Sequence, residues 1–315
     1  MKILIAVIII FSALMITASL LVKKIIVRQL EQKLNQQVRL ESVSFGLPFS
    51  LNLKRLEVGD FTKAELITAA PRLAELFAKK VFFNRLTLKN GRYIYSANIK
   101  SQPAQKFTII SDNINADILE LALPPLSSRA KFNLSLDLAG IGTANLGSVS
   151  ASGWIDPEQK DMEAVLQVKS LEAAYFAPYY GDFISQRRIS SAKVDFTANL
   201  KAANNDLTAN CHFELSDLMY QDAALQENKL PNLDLLKNTL DLFIDPEGKL
   251  RLDFVINTKL DNPHISSDEL KRVILKAAAK KLASQSPEIL IQKVATTIEQ
   301  FEDFGKQMKD VFSSR

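Results

Sequence analysis

Hydrophobic positions along the chain first form one uninterrupted run, then recur at every second residue, and finally recur with the period of a helix. The first run extends from Ile3 through Phe11 to Val22 and ends at Lys23 and Lys24. About 20 mostly apolar residues cross the hydrocarbon core of a bilayer as a helix. A cleaved signal peptide has an apolar region of only about 7–15 residues. The pattern therefore favours a retained transmembrane anchor over residues 1–24.

Two further regions have helical spacing. In residues 25–40 apolar side chains recur every four positions from Ile26 to Val38, which predicts a juxtamembrane amphipathic helix. Helical spacing returns in residues 263–315, where Ser286-Pro287-Glu288 is a typical helix start. We therefore expect amphipathic helices at the C-terminus.

Residues 41–262 form a body in which apolar and polar residues alternate, as they do in strands with one apolar and one polar face. Regularly spaced turn sequences between these runs predict an antiparallel meander of roughly a dozen strands. The fold class is therefore mainly β. Candidate residues of the apolar face are Phe132, Leu134, Leu136, Phe196, Leu252 and Phe254.

Turn residues predict where the strands end. Asn90-Gly91 lies between two short apolar runs and is a strong hairpin signal. Asn204-Asn205-Asp206, Asp156-Pro157-Glu158 and Asp245-Pro246-Glu247-Gly248 are also typical turns. Residues 62–79 are ambiguous, because their composition favours a helix that Pro71 would interrupt.

The distribution of charge adds one expectation to the predicted fold, at residues 23–55. The net charge of +4 over 315 residues is small, and no basic run with interleaved aromatic residues suggests nucleic-acid binding. Residues 23–55, however, carry seven basic residues against Glu31 and Glu41, which suits contact with anionic lipid head groups. The basic flank by itself places the body in the cytoplasm, whereas the two-residue tail before the apolar run favours export, so charge leaves the topology open.

Residues that could perform chemistry are few. Cys211 is the only cysteine, and His212 and His264 are the only histidines, so neither a disulfide nor a Cys/His metal site is expected. Cys211 and His212 lie in an alternating run, which places Cys211 on the apolar face and His212 on the polar face. We expect no cofactor and no enzymatic activity. An aromatic segment, residues 175–183, suits a ligand cap, an edge that touches a membrane, or local core packing under a loop.

Four segments, taken in order, resemble the AsmA-like family of envelope proteins from diderm bacteria. They are QLEQKLNQQVRLESVSFGLPFSLNLKRLEVGDF after the anchor, AAPRLAELFAKKVFFNRLTLKNGRYIYS, YFAPYYGDFISQRRISSAKVDFTANL, and the closing segment from LPNLDLLKNTLDLF to SSDELKRVILKAAAKKLA. The third is the most specific, and the order of the four carries most of the weight. The second segment is folded largely as strands in that family, which argues against a helix at 62–79.

The resemblance implies a single-pass protein of the bacterial inner membrane with its body in the periplasm. It implies an elongated, curved β-groove whose apolar side binds or transfers the acyl chains of phospholipids. The candidate partners are membrane phospholipids and an envelope protein docking on the C-terminal helices. The alternative is a non-enzymatic scaffold or assembly factor for outer-membrane proteins or envelope complexes, with a closed core.

Overall fold

The structure is a computed structural model, mainly β, in which strand pairing forms one antiparallel sheet of eleven strands in chain order. It describes residues 2–46, 49–72, 81–99, 102–123, 129–177, 189–220, 245, 247–264, 272–273 and 276–277. The side chains of residues 2–16, 81, 99, 102–105, 123, 143–144, 189 and 220 lie outside this description. The chain divides into two compact units, Met1–Ala164 and Val165–Arg315.

One helix precedes the strands, and the first and last strands are the two edges of the sheet. The helix, α1, covers Lys2–Leu34. The strands are β1 (Val38–Gly46), β2 (Ser50–Val58), β3 (Thr62–Pro71), β4 (Val81–Ile99), β5 (Gln102–Leu123), β6 (Ala130–Gly140), β7 (Thr143–Asp156), β8 (Asp161–Glu172), β9 (Ile189–Ala203), β10 (Asp206–Tyr220) and β11 (Leu250–Lys259).

The helix predicted over residues 25–40 ends earlier than expected, because α1 runs without a break from Lys2 to Leu34. Asn35 has a φ of 50° and its N–H donates to the Glu31 carbonyl at 2.9 Å, which is the left-handed termination that asparagine tolerates. The Glu31 carboxylate then accepts the N–H of Val38 at 3.1 Å. Val38 therefore begins β1 instead of completing a helical stripe.

The alternating runs form strands as predicted. In β6 the exposed residues Lys131, Asn133, Ser135 and Asp137 alternate with half-buried apolar ones. The turn predicted at Asn204-Asn205 joins β9 to β10 with φ values of 50° and 76°, which suits a two-residue hairpin. Asp156 also ends β7 in a turn, where its Oδ1 accepts hydrogen bonds from the N–H groups of Glu158 and Gln159.

The hairpin predicted at Asn90-Gly91 is wrong, because β4 runs through both residues. Asn90 has a φ of 50°, and the pairing with β5 shifts register between Leu88 and Gly91. On β5 the register shifts at the same level around Asn113, which also has a φ of 50°. These are β-bulges, because β3 and β5 each pair with β4 on both sides of Asn90 and the ladder continues.

The bulges lie on one line across the sheet and reverse the alternation there. Arg55 of β2 has a φ of 48° and lies at the same level. In β1 the buried residues are Val38 and Leu40 on one side of this line and Val43 on the other, three positions away. A strict period of two is thereby broken, which explains why the sequence pattern is unclear in this part of the chain.

Polar side chains bridge the strands along the bulge line. Arg55 Nε lies 2.7 Å from Glu41 Oε2, and Asn90 Nδ2 donates to Glu65 Oε2 at 2.5 Å. Asn113 Nδ2 donates to Asp137 Oδ2 at 2.8 Å. These bonds satisfy polar groups where the regular ladder is interrupted.

Two other predictions have different outcomes. Residues 62–71 form β3, so the strand interpretation of this ambiguous segment is confirmed, whereas residues 73–80 lie outside the described residues. The C-terminal helices over residues 263–315 also lie almost wholly outside them. Residues 263–264, 272–273 and 276–277 are described there, and the last four have a helical backbone.

Replacing Gly153 tests the close approach of β7 and β8. A Cβ at this position would overlap the carbonyl oxygen of Glu163 and lie 2.5 Å from the Ala164 Cα. Because both obstacles are backbone, we expect Gly153→Ala to lower the free energy of unfolding by about 1–3 kcal/mol, measured by urea denaturation.

The matched control is Ser152→Ala, one residue away at an exposed position. An exposed substitution of this kind changes stability by about 0.5 kcal/mol or less. Equal stability of the two variants would contradict the close approach.

Candidate functional site: an apolar face crossing the strands

Two adjacent rows of apolar residues cross the first seven strands in exact register. We call them the outer row, nearer the turn between β1 and β2, and the inner row. The outer row is Phe45, Leu51, Ala69, Leu86, Ile118, Phe132 and Gly153. The inner row is Val43, Leu53, Ile67, Leu88, Ala116, Leu134 and Ala151.

The large side chains of both rows keep contact with solvent. Val43 is buried and Phe45 is 39% exposed, while the other members are half-buried. Among the described residues, the only large side chain with less than 2% exposure is Leu146. A face covered by a second packed layer would bury its large residues fully. The rows therefore form a partly accessible apolar surface.

The opposite face carries a polar row in the same register. It consists of Ser44, Asn52, Thr68, Thr87, Asp117, Asn133 and Ser152. Thr68 Oγ1 donates to Asn52 Oδ1 at 2.7 Å, and Arg85 holds Asp117 through two bonds of 2.7 Å. One face of this unit is thus suited to water and the other to hydrocarbon.

The second unit repeats the arrangement over β9, β10 and β11. Phe196 lies opposite Phe213, which lies opposite Leu252, and in the next apolar row Cys211 lies opposite Phe254. Small residues are buried here, with Ala198 3% and Cys211 5% exposed. Phe196 and Phe254 pack on them and stay only partly buried.

The structure places the predicted candidates in two groups. Phe132, Leu134 and Leu136 share the apolar side of β6, and Phe196, Leu252 and Phe254 share that of the second unit. Sequence analysis missed Leu86, Leu88 and Ile118, because the bulges reverse the alternation in β4 and β5 and hide the pattern. The register of the strands reveals them.

The predicted anchor residues lie in α1. The side chains of Ile3 and Phe11 are outside the described residues, whereas Val22, Lys23 and Lys24 are within them. Lys23 Nζ donates to the Glu41 carbonyl of β1 at 2.9 Å, so this part of α1 packs beside the edge strand. Within the described part of the chain, no helix has the length and hydropathy of a membrane span.

Polar residues considered for chemistry have simple surroundings. His212 lies on the polar face, as predicted, with Nδ1 2.7 Å from Asp253 Oδ1. Cys211 is buried among apolar residues, and this burial raises the pKa of its thiol. His264 lies in the segment after β11, where its N–H donates to Thr258 Oγ1 at 3.2 Å.

Metal ligands and the aromatic segment add little. Within the described part of the chain, no group of three or more His, Cys, Asp or Glu residues is placed to hold a metal ion. The rings of Tyr175 and Phe176 meet edge to face, with centroids 5.7 Å apart. The other aromatic residues of this segment, Tyr179, Tyr180 and Phe183, lie outside the described residues.

Comparison of the chain with protein-family models, curated proteins and solved structures finds no match. The interpretation of the apolar face therefore depends on the geometry of the chain itself.

An ion-pair network in the second unit connects β10 with the start of β11 and the residues before it. Glu214 of β10 accepts from Lys249 Nζ at 2.6 Å and from Arg251 Nε at 2.7 Å. Arg251 also contacts Asp245 and Glu247, each at 2.7 Å. The hydrogen bonds from Arg251 and Lys249 lower the pKa of Glu214 to about 2. The network thus holds the turn before β11 against β10.

Protonation of Glu214 should loosen this turn. Because its pKa is depressed in the folded protein, the stabilisation is complete above the ordinary value of 4.5 and is lost as the pH falls toward about 2. We expect Glu214→Gln to reduce the amide exchange protection of β10 and β11 at neutral pH. The difference from the wild type should shrink as the pH falls through this window, and a difference that stays constant with pH would contradict the assignment.

Proposed function

We propose that this chain is a membrane-anchored envelope protein that binds or transfers phospholipid acyl chains. The apolar face would serve as the groove that holds these chains. The observation that carries the proposal is the pair of apolar rows, which cross seven strands without a polar residue. The half-buried state of their large side chains supports it. The resemblance to AsmA-like proteins points in the same direction.

The dimensions of the rows suit an acyl chain. Seven strands spaced about 4.8 Å apart give rows about 29 Å long. The hydrocarbon core of a bilayer is about 30 Å thick, so one acyl chain extends over about 15 Å. An extended chain therefore fits within the outer and inner rows of the first unit alone.

The chemistry of the rows also suits hydrocarbon. Each methylene group removed from water contributes about 0.8 kcal/mol, and this gain needs no directional partner. A lipid-binding face can therefore lack the precisely placed polar groups that a site for a polar metabolite requires. The polar row on the opposite face keeps that side in water.

The location that we propose follows from α1. Its uncharged N-terminal part would anchor the chain in the bacterial inner membrane, with the strands in the periplasm. The basic residues of 23–55 would then lie beside the head groups. This arrangement brings the apolar face close to its supply of lipid.

Replacing Leu134 by aspartate tests the lipid-binding face. Leu134 lies in the inner row and is half-buried. On an accessible face, Leu134→Asp should lose at most about 3 kcal/mol of stability and keep its β-rich circular dichroism. Phospholipid retained by the full chain, measured by native mass spectrometry after extraction from bacterial membranes, should fall.

The matched control is Ser135→Asp, which adds the same charge one residue away at an exposed position. Lipid held around the anchor is common to both variants, so the comparison isolates the apolar face. Equal lipid content in the two folded variants would contradict the proposal. Unfolding of Leu134→Asp would indicate a closed core, because a buried unpaired charge is very costly, and would favour the scaffold or assembly role.

A further inference from the structure

One end of the first unit combines α1, a strained aromatic residue and two cation–π pairs. We call it the near end, meaning the end of the strands where β1 ends at Gly46 and β2 begins at Ser50. It lies beyond the outer row of the apolar face. The proposed function uses α1 as the anchor, but it does not require the aromatic residue or the cation–π pairs.

The direction of α1 places its apolar part at the near end. Lys23 contacts the Glu41 carbonyl, while Ser19 and Leu20 line a groove of about 430 Å³ with residues 41–45 of β1. The helix and β1 therefore run antiparallel, and β1 points from its start toward the N-terminal part of the helix. Residues 3–16 of α1, which are all uncharged, continue the helix beyond the near end in that direction.

Large apolar side chains are exposed at this level. Phe49 is 66% exposed and Phe45 is 39% exposed, and on the helix Leu20 and Leu21 are 62% and 58% exposed. Phe49 also has a φ of 124°, a conformation that a bulky residue rarely adopts. A strained residue with an exposed side chain is a candidate for a functional contact.

Two arginine–aromatic pairs lie at the same end. The guanidinium of Arg72 is 4.0 Å from the Phe82 ring centroid, and that of Arg129 is 4.4 Å from the Trp154 ring centroid. By register, all four residues lie beyond the outer row on the near end. Aromatic rings with adjacent arginines are typical of the boundary between head groups and hydrocarbon.

The charge of α1 complements an anionic surface. Lys23, Lys24 and Arg28 follow directly after the uncharged part of the helix. Basic residues at this position attract anionic lipids. A protein partner would not explain why the uncharged helix, the exposed phenylalanines and the basic residues occur together.

We propose that the near end is a membrane-docking surface that rests on anionic phospholipid head groups, with Phe45 and Phe49 inserted at the interface. This deepens the proposed function and rests on it for the role of α1 as anchor. The outer row, which begins at Phe45, then lies next to the bilayer surface. Acyl chains would reach the apolar face at Phe45 and Leu20.

A fluorescent label at position 49 tests the docking. The full chain carries Cys211→Ala, which removes the buried native thiol, together with Phe49→Cys labelled with the polarity-sensitive dye NBD. It is reconstituted in vesicles of phosphatidylglycerol and phosphatidylcholine. We expect blue-shifted emission, quenching by lipids that carry a nitroxide near the head group, and protection from iodide.

The matched control is Ile141→Cys in the same background. Ile141 is an equally apolar turn residue, 70% exposed, at the opposite end of the strands. Its label should remain accessible to iodide and insensitive to the lipid quencher. Both labelled chains should float with the vesicles and keep the circular dichroism of the unlabelled chain.

Three outcomes would overturn the docking surface. Equal iodide access at positions 49 and 141 would show that the near end does not touch the bilayer. Equal lipid quenching at both positions would show non-specific adsorption. Protection from iodide at position 49 without lipid quenching would show a protein contact, such as a second copy of the chain.

The docking surface and the proposed function fail in different ways. If Leu134→Asp and Ser135→Asp retain equal lipid while the label at position 49 is still quenched, docking stands and lipid binding by the apolar rows fails. If Leu134→Asp loses lipid and the label at position 49 is exposed to water, the reverse holds.

Discussion

Register between neighbouring strands is the constraint on which the rest of this structure depends. In an antiparallel sheet, a slip of one residue moves every side chain of a strand to the other face. Seven consecutive strands keep the outer row, from Phe45 of β1 to Gly153 of β7, in one line. Six pairings must be correct together for that row to exist. The same pairings create the polar row on the opposite face.

The bulge line allows this register to persist through unusually long strands. β4 and β5 contain 19 and 22 residues, and each is interrupted at an asparagine with positive φ. A bulge bends a strand and increases its local twist. Because the positive-φ residues Arg55, Asn90 and Asn113 lie at one level, the irregularities match one another. Neighbouring strands therefore keep their pairing on both sides of the line.

The two proposals divide the first unit into a surface for lipid tails and an end for lipid head groups. The outer and inner rows consist of apolar residues, whereas the near end carries arginines that lie over aromatic rings. Phe45 belongs to both, since it begins the outer row and lines the groove beside α1. Because α1 packs against β1, it also protects that edge from pairing with other chains. Anchoring, edge protection and access to lipid would then depend on the same contact.

The pattern of apolar and polar residues is sufficient to predict an N-terminal helix, the β character of the body and the faces of the regular strands. Leu134 and Ser135 were assigned correctly, because alternation is a local property of the chain. The end of α1 was misplaced, since Asn35 and the Glu31–Val38 bond override the helical spacing of residues 34–38.

That Asn90-Gly91 is a bulge follows only from the pairing of β4 with β3 and β5 on both sides of it. A turn and a bulge use the same residue types, so the sequence does not distinguish them. The tertiary structure also decides which residues of β4 and β5 join the apolar rows. Those rows depend on partners distant in sequence, and no local pattern encodes which residue of the next strand lies opposite.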